Sequence, residues 1–322
     1  MEIITVGIDV AKDRLDVAVC PGGDTFTVER NAAGLAHLCD RLVPLKPRIV
    51  LKARLRHDAL EATGGLEAVV VASLAAAGLP VAVVNPAQVR AFATALGQRA
   101  KTDPIDARVV ARFAEATKVE PRPLPSAETQ LLADLVTRRR QILDMIGAER
   151  QRQKRAPARL EKSIARLLKA LHKELANVDT DIDEAVRASP AWRDSEDLLS
   201  SVPGIGPVIS RTLIAELPEL GTLDRKQIAA LAGLAPFTRQ SGRWRGKSRI
   251  AGGRTAVRTM LFMGAMVAKR HNPLLKAFSD RLLAAGKTKM VVLIAVARKL
   301  LTILNAMMRD RRPWNATPVV AR

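Results

Sequence analysis

The sequence predicts an N-terminal α/β domain, a long helical arm and a basic, mainly α-helical C-terminal domain. Three observations lead to this prediction. Apolar strand-like runs come first and then alternate with helical segments, a long helical stretch follows a proline cluster, and positive charge is concentrated after residue 190. The 322 residues have room for two or three domains. With 48% hydrophobic and 26% charged residues, the composition is typical of a globular protein.

The first 120 residues predict a mixed α/β sheet. Two β-rich runs, residues 3–9 and 15–20, flank a polar turn and predict a hairpin, and a third strand is expected at 25–29. Asn31 is placed to cap a helix that runs to about Leu42. The segments that follow are predicted to be strand 48–51, helix 66–77, strand 81–84, helix 86–96 and helix 103–116.

A proline cluster, Pro121, Pro123 and Pro125, marks a linker. Residues 127–186 then carry two apolar stripes with helical spacing, which predict a helical hairpin or coiled-coil arm. Its turn is expected in the basic stretch Arg150–Arg159, which is either a solvated loop or a nucleic-acid contact. The predicted domains therefore span residues 1–122, 123–190 and 191–322.

The charge distribution indicates a polyanionic partner. The formal net charge is +20, and direct counting gives about +1 for residues 1–120, +4 for 121–190 and +15 for 191–322. Such a balance favours nucleic acid or an acidic membrane surface as partner. Aromatic residues are only 3% of the chain, which argues against a binding mode based mainly on stacked bases.

Other features narrow the class of protein. Two cysteines, Cys20 and Cys39, are too few for a disulfide scaffold or a four-cysteine zinc site, and they suit a reducing cytoplasm. The N-terminus lacks the basic start of a signal peptide. The uncharged stretch 68–89 is broken by glycine, asparagine and proline, so we expect no membrane span there.

Four acidic residues are candidates for chemistry in the N-terminal domain. Asp9 ends an apolar strand, Glu61 precedes a Gly-Gly turn, and Asp103 and Asp106 share one helix face. Such carboxylates could bind a hard cation. The alternative for the helical pair is structural, with Asp103 as N-cap and Asp106 favouring the helix dipole.

The C-terminal domain contains two candidate DNA-binding features. Gly204 and Gly206 form a Gly-x-Gly turn between helices, typical of a helix-hairpin-helix whose backbone N–H groups hold a phosphate, although such a turn can also be only structural. Residues 239–254 contain no acidic residue, and their basic side chains are candidate contacts to DNA phosphates: Arg239, Arg243, Arg245, Lys247, Arg249 and Arg254. Ser241 lies among them, either as a nucleophile or as a turn residue.

Together these motifs resemble the IS110 family of insertion-sequence transposases. The segments that carry the resemblance are residues 7–12, 61–65, 101–108, 203–206 and 241–242, in this order along nearly the whole chain. The family joins a RuvC-like domain of the RNase H fold to a C-terminal transposase domain, and pilin-gene invertases share the arrangement. The resemblance therefore implies a transposase or recombinase.

The resemblance also implies roles for residues and partners. Asp9, Glu61, Asp103 and Asp106 match the acidic tetrad that holds Mg²⁺, and Ser241 matches the serine that attacks DNA to form a covalent intermediate. Implied partners are donor and target DNA, a guide transcript called bridge RNA, and further copies of the chain, as a dimer or tetramer with composite active sites. The implied location is the bacterial cytoplasm, in association with the nucleoid.

One departure from the family pattern concerns the second acid. The apolar strand 48–51 is followed by Lys52 and eight further residues before Glu61, so Lys52 stands in the expected glutamate's place. We assign the tetrad position to Glu61, because the Gly-Gly context stays attached to it.

Two other functions compete with a serine recombinase. A metal-dependent, structure-selective nuclease of the RuvC type would use water as the nucleophile and leave Ser241 structural. A non-catalytic nucleic-acid-binding protein would use the basic half alone, with the acids acting as helix caps.

Overall fold

The computed structural model describes residues 4–52, 66–98, 100, 102–120, 126–238 and 240–315. Contacts divide the chain into two units, Met1–Leu124 and Pro125–Arg322. The first unit contains these strands and helices: β1 Thr5–Val10, β2 Arg14–Cys20, β3 Thr25–Glu29, α1 Ala32–Leu42, β4 Arg48–Lys52, α2 Leu66–Ala76, β5 Val81–Val84, α3 Pro86–Ala95 and α4 Asp103–Thr117.

The five strands form one sheet in the order β3-β2-β1-β4-β5. Strand β2 runs antiparallel to β1 and β3, whereas β1, β4 and β5 are mutually parallel. This order and orientation is that of the RNase H-like fold, so the fold implied for this domain is confirmed. The predicted hairpin, the third strand and the strands expected at 48–51 and 81–84 are also present. The Asn31 side chain caps α1 by accepting from the Gly34 N–H at 2.8 Å.

Alternation along the strands separates two cores. Ile8 and Leu51 point to the face that packs with α1 and α2 in one apolar cluster. Their neighbours Gly7 and Val50 point to the opposite face, which α3 and α4 cover. Because side chains alternate between faces, Asp9 and Lys52 lie on the same face as Gly7 and Val50, under α4.

The second unit begins with two long helices, α5 Ala127–Gln153 and α6 Ala158–Ala188. Two contacts show that they run antiparallel. Arg139 pairs with Asp179, whereas Arg150, which lies later on α5, contacts His172, which lies earlier on α6. Their shared core includes Leu132, Ile142, Val178 and Ile182, among other residues. The helical hairpin predicted for this segment is therefore present, with its turn between the two helices at 154–157.

The rest of the second unit is mainly helical. It contains α7 Pro190–Ser200, α8 Pro207–Glu216, α9 Arg225–Leu231, four two-residue strands (β6 Pro236–Phe237, β7 Gln240–Ser241, β8 Trp244–Arg245, β9 Arg249–Ile250), α10 Thr255–His271, α11 Pro273–Ala284 and α12 Lys289–Asp310.

Helix α12 is the centre of this C-terminal core. Val296, Leu300 and Leu304 are fully buried in the cluster that joins the surrounding helices. Its buried Asn305 accepts from the Gly221 N–H at 2.9 Å and donates to the Leu223 carbonyl at 2.8 Å, which ties the loop before α9 to α12. Within the described residues α12 alone is long and apolar enough to cross a membrane by composition, and half of that stretch is buried against the protein.

Candidate functional site

The first candidate site lies where β1 meets α4, and Gly7 explains how close the two come. A Cβ at Gly7 would lie 2.3 Å from the Ala111 backbone nitrogen and 2.4 Å from the Ala107 carbonyl oxygen. Only glycine therefore allows the helix to pack directly on the strand. This contact brings Asp106, on the first turns of α4, toward Asp9 near the end of β1.

The side chain of Lys52 bridges these two carboxylates. Its Nζ lies 3.0 Å from Asp9 Oδ1 and 2.6 Å from Asp106 Oδ2. The three side chains are between 11% and 15% exposed, so the group is shielded but touches solvent. The arrangement is a charge-assisted network of one ammonium and two carboxylates, with a formal charge of −1.

The register of the sheet decides which residue faces Asp9. In the parallel pair β1–β4, Lys52 is the direct partner of Asp9. Glu61, which we assigned to the tetrad, lies outside the described residues. The place beside Asp9 at the end of β4 thus belongs to a lysine, in agreement with the departure seen in the sequence.

Helix α4 differs from expectation at its N-terminus. Its N-cap is Thr102, because the Asp106 N–H already bonds to the Thr102 carbonyl at 2.8 Å, so Asp103 is not the cap that the structural alternative placed there. Asp103 is the first residue of the helix, and its side chain is outside the described part of the structure. The Asp106 carboxylate accepts a hydrogen bond from the Lys52 ammonium.

Sequence reasoning missed Asp16. It is the antiparallel partner of Asp9 on β2 and is only 3% exposed. Thr27 donates to its Oδ1 at 2.7 Å, and Arg14 Nε lies 3.3 Å from its Oδ2. The available signal was an acid at an interior position of an apolar strand, where burial requires a partner.

As it stands, the space between Asp9 and Asp106 does not fit a divalent ion. The ammonium lies between the two carboxylates, and a cation of the same sign could not share that position. In the described part of the chain, no three His, Cys, Asp or Glu side chains are arranged to hold a metal.

The second candidate site is the basic hairpin, which we define as residues 236–250. Its outer pair, β6 and β9, and its inner pair, β7 and β8, are both antiparallel. Ser241 and Trp244 are direct partners across the two-residue turn Gly242–Arg243. Side chains of directly opposed residues project from the same face, so the exposed hydroxyl and the exposed indole lie side by side.

The predicted basic contacts divide into three groups. Arg243, Lys247 and Arg249 are exposed on the basic hairpin. Arg239 and the side chain of Arg245 fall outside the described part of the structure. Arg254, by contrast, is mostly buried and engaged: its Nη2 donates to Glu219 Oε1 at 2.7 Å and its Nη1 to the Glu216 carbonyl at 2.9 Å. Its guanidinium anchors the end of the basic segment to the helical domain, so we no longer assign Arg254 to DNA.

The two glycines of the predicted phosphate-binding turn differ. Gly204 has a φ of +105°, and a Cβ there would come within 2.7 Å of the Ala268 backbone nitrogen and Cβ. Its role is thus to turn the chain and pack on α10. Gly206, the N-cap of α8, faces open space and leaves the helix N-terminus accessible.

Two family models match the chain on either side of its middle. The model described as DEDD_Tnp_IS110, a transposase, covers residues 6–156. The model described as the transposase IS116/IS110/IS902 family covers residues 196–280. The first contains β1 and α4 with the acidic site, and the second contains the basic hairpin.

Relatives agree with these matches. The chain is 30% identical over 240 residues to the pilin gene-inverting protein of Moraxella bovis, covering 73% of this chain and 74% of the relative. It is 30% identical over 151 residues to the 43.6 kDa protein of insertion element IS110 from Streptomyces coelicolor, covering 46% of this chain and 36% of that one. Among solved structures, T. thermophilus RuvC in complex with a Holliday junction substrate is similar at 16% identity and a TM-score of 0.28, over 37% of this chain and 100% of RuvC.

Proposed function

The chain belongs to the IS110 family of transposases, and from that premise we propose that it cuts and rejoins DNA through a covalent intermediate on Ser241. The observation that carries the proposal is the position of this serine. Its exposed hydroxyl lies at the turn of the basic hairpin, next to Arg243, in a segment without acids.

The covalent step keeps the number of phosphoester bonds constant. The Ser241 oxygen attacks a backbone phosphorus, an Oγ–P bond forms, and the P–O bond to one deoxyribose breaks. The serine proton goes to the oxygen that leaves, which becomes a deoxyribose hydroxyl. In the reverse step a hydroxyl of another strand attacks the phosphoserine and releases Ser241. Because each step exchanges one phosphoester for another, rejoining needs no ATP.

Arginine and lysine side chains supply the electrostatic support. The phosphorus centre gains negative charge as Ser241 attacks, and guanidinium groups fixed nearby stabilise that charge. Arg243 sits in the turn itself, and Lys247 and Arg249 are exposed on the basic hairpin. We assign these three to the DNA backbone.

The finer partners are part of the same proposal. We propose donor and target DNA as substrates and a guide RNA from the element as the source of sequence recognition. Exposed basic side chains at the turn of the α5–α6 hairpin offer the guide RNA a phosphate-binding surface. They include Arg152, Lys154 and Arg155. We also propose that the protein acts as a dimer or tetramer, which light scattering of the purified protein tests directly.

The expected metal site enters this proposal only as a set of residues. The tetrad Asp9, Glu61, Asp103 and Asp106 would hold Mg²⁺ in the arrangement that the resemblance implies, but Lys52 stands between two of its members. No step of the proposed reaction therefore passes through a metal. The same observation disfavours a RuvC-type nuclease, since water attack at a phosphodiester relies on metal-bound carboxylates.

The test is a denaturation-resistant protein–DNA adduct. A labelled plasmid that carries the element with its flanks is incubated with the protein, the element's transcript and Mg²⁺, and the products are separated in SDS. Ser241→Ala is expected to abolish the adduct. Ser248→Ala is the matched control, because Ser248 is also exposed on the basic hairpin and contacts Thr238 Oγ1 at 3.1 Å.

The possible outcomes separate the candidate functions. An adduct that persists in Ser241→Ala excludes this serine as the nucleophile. Cut ends without an adduct point to the nuclease, and DNA binding without cutting or adduct points to a non-catalytic binder.

A further inference from the structure

We propose that Lys52 is an internal replacement for the divalent cation of the acidic site. In this chain Asp9 and Asp106 are held together by an ammonium group, and the site binds divalent ions only weakly. This inference is independent of the Ser241 chemistry, because its tests measure metal binding and stability rather than DNA adducts.

The geometry of the three side chains carries the first step. A metal that joins two carboxylates lies between their oxygens, and the Lys52 Nζ lies there, 3.0 Å from Asp9 and 2.6 Å from Asp106. Mg²⁺ would require oxygens at about 2.0–2.1 Å and would carry twice the charge. The ammonium satisfies the same two acids by donating hydrogen bonds to them.

The scaffold around the three residues carries the second step. Lys52 is fixed opposite Asp9 by the β1–β4 register, and Asp106 is fixed by the packing of α4 on Gly7. Neither acid depends on Lys52 for its place in the backbone. The contact is therefore a consequence of which residue ends β4, and one substitution at that position changes the charge of the site.

Electrostatics give the direction of the effect. A lysine between two carboxylates leaves a site of charge −1, whereas a glutamate there would leave −3. A glutamate at position 52 would no longer repel a divalent ion as the ammonium does, and its carboxylate would add oxygen ligands. Lys52→Glu is thus expected to create a metal site from residues that are already in position.

The experiment compares Mn²⁺ binding by electron paramagnetic resonance in the full chain and its variants. Binding at this site is defined as the part that Asp106→Asn removes. Wild-type protein is expected to show little such binding, and Lys52→Glu is expected to tighten it by at least on the order of tenfold. Lys46→Glu is the matched control, because this substitution makes the same change in net charge. Lys46 is exposed and lies just before the start of β4, at the end opposite Lys52.

A second variant tests the idea if Lys52→Glu does not fold. Lys52→Met keeps the apolar stem and removes the ammonium, so two shielded carboxylates lose the positive charge that lies between them. In EDTA, we expect the melting temperature of Lys52→Met to be lower than that of the wild type. Addition of Mn²⁺ should raise the melting temperature of the variant and leave that of the wild type unchanged.

Two outcomes would overturn the proposal. One is a wild-type Mn²⁺ site, removed by Asp106→Asn, that is as tight as the site in Lys52→Glu. The other is a failure of both Lys52 variants to respond to Mn²⁺, since the ammonium would then not occupy a cation position.

Discussion

Trp244 lies directly across the basic hairpin from Ser241, paired with it in the β7–β8 register. The indole is 60% exposed, although large apolar side chains are normally buried. An exposed indole beside the proposed nucleophile Ser241 is placed to stack on the base next to the phosphate that this serine would attack. The low aromatic content of the chain argues against a binding mode made mainly of stacking, but it does not exclude a single stacked base here.

We therefore predict that Trp244→Ala weakens DNA binding and slows adduct formation. Stacking of one base on an aromatic side chain contributes about 1–3 kcal/mol, so binding should fall by roughly 5- to 150-fold. Fluorescence polarisation with labelled DNA measures the affinity. Trp244→Phe serves as the control and should keep most of it, because a phenyl ring still offers a face for stacking. Equal affinities for the Ala variant and the wild type would rule out a stacking role.

Gly7 is predicted to be essential for the packing of α4. In Gly7→Ala the added methyl would meet backbone atoms of Ala107 and Ala111, which cannot move independently of the helix. Overpacking of this kind costs typically about 1–3 kcal/mol and sometimes more. Denaturant unfolding, followed by circular dichroism, measures the loss.

Gly147→Ala serves as the control, because it is expected to raise the free energy of unfolding rather than lower it. Gly147 lies within α5, and a Cβ there meets no atom within 4 Å. Alanine in such a helical position is expected to stabilise by about 0.5–1 kcal/mol. If Gly7→Ala were equally harmless, the close approach of α4 to β1 would not depend on glycine.

The two thiols are predicted to be poorly reactive near neutral pH. Burial raises the pKa of Cys20 above its ordinary value, Glu115 raises this pKa further, and Arg112 opposes the shift. Burial also raises the pKa of Cys39, and Asp40 adds to the effect. Since the thiolate is the reactive form, both residues should react with a thiol reagent more slowly at pH 8 than free cysteine does, and faster in denaturant.

The same shifts set a pH dependence of stability. In the unfolded chain the thiols ionise first, because their pKa is lower there than in the folded protein. The free energy of unfolding should therefore fall as the pH rises through the ordinary thiol range, and stop falling once the folded thiols ionise. Cys20→Ser should reduce this dependence. A thiol reaction rate at pH 8 equal to that of free cysteine would contradict the prediction.

Much of the N-terminal fold was predictable from local signals. Strands β1, β2 and β3 follow from β-rich runs separated by turns, and Asn31 identifies the start of α1. The site was only partly predictable. Asp9 and Asp106 do converge, but Asp16 was missed because it sits inside an apolar strand without a motif of its own. Arg254 is predicted to contact DNA because it ends an acid-free basic run, and its partner Glu219 is too distant in the sequence to be foreseen.

By itself the sequence determined most strands and helices of the N-terminal domain, the family and the concentration of positive charge in the C-terminal domain. These follow from periodicity, caps, helix breakers and composition, which act over a few residues. Only the tertiary structure decided that Lys52 reaches both Asp9 and Asp106, and that Ser241 and Trp244 share one face of the basic hairpin. Such contacts depend on strand register and on how closely a helix packs against a sheet, and both are set by residues far apart in the chain.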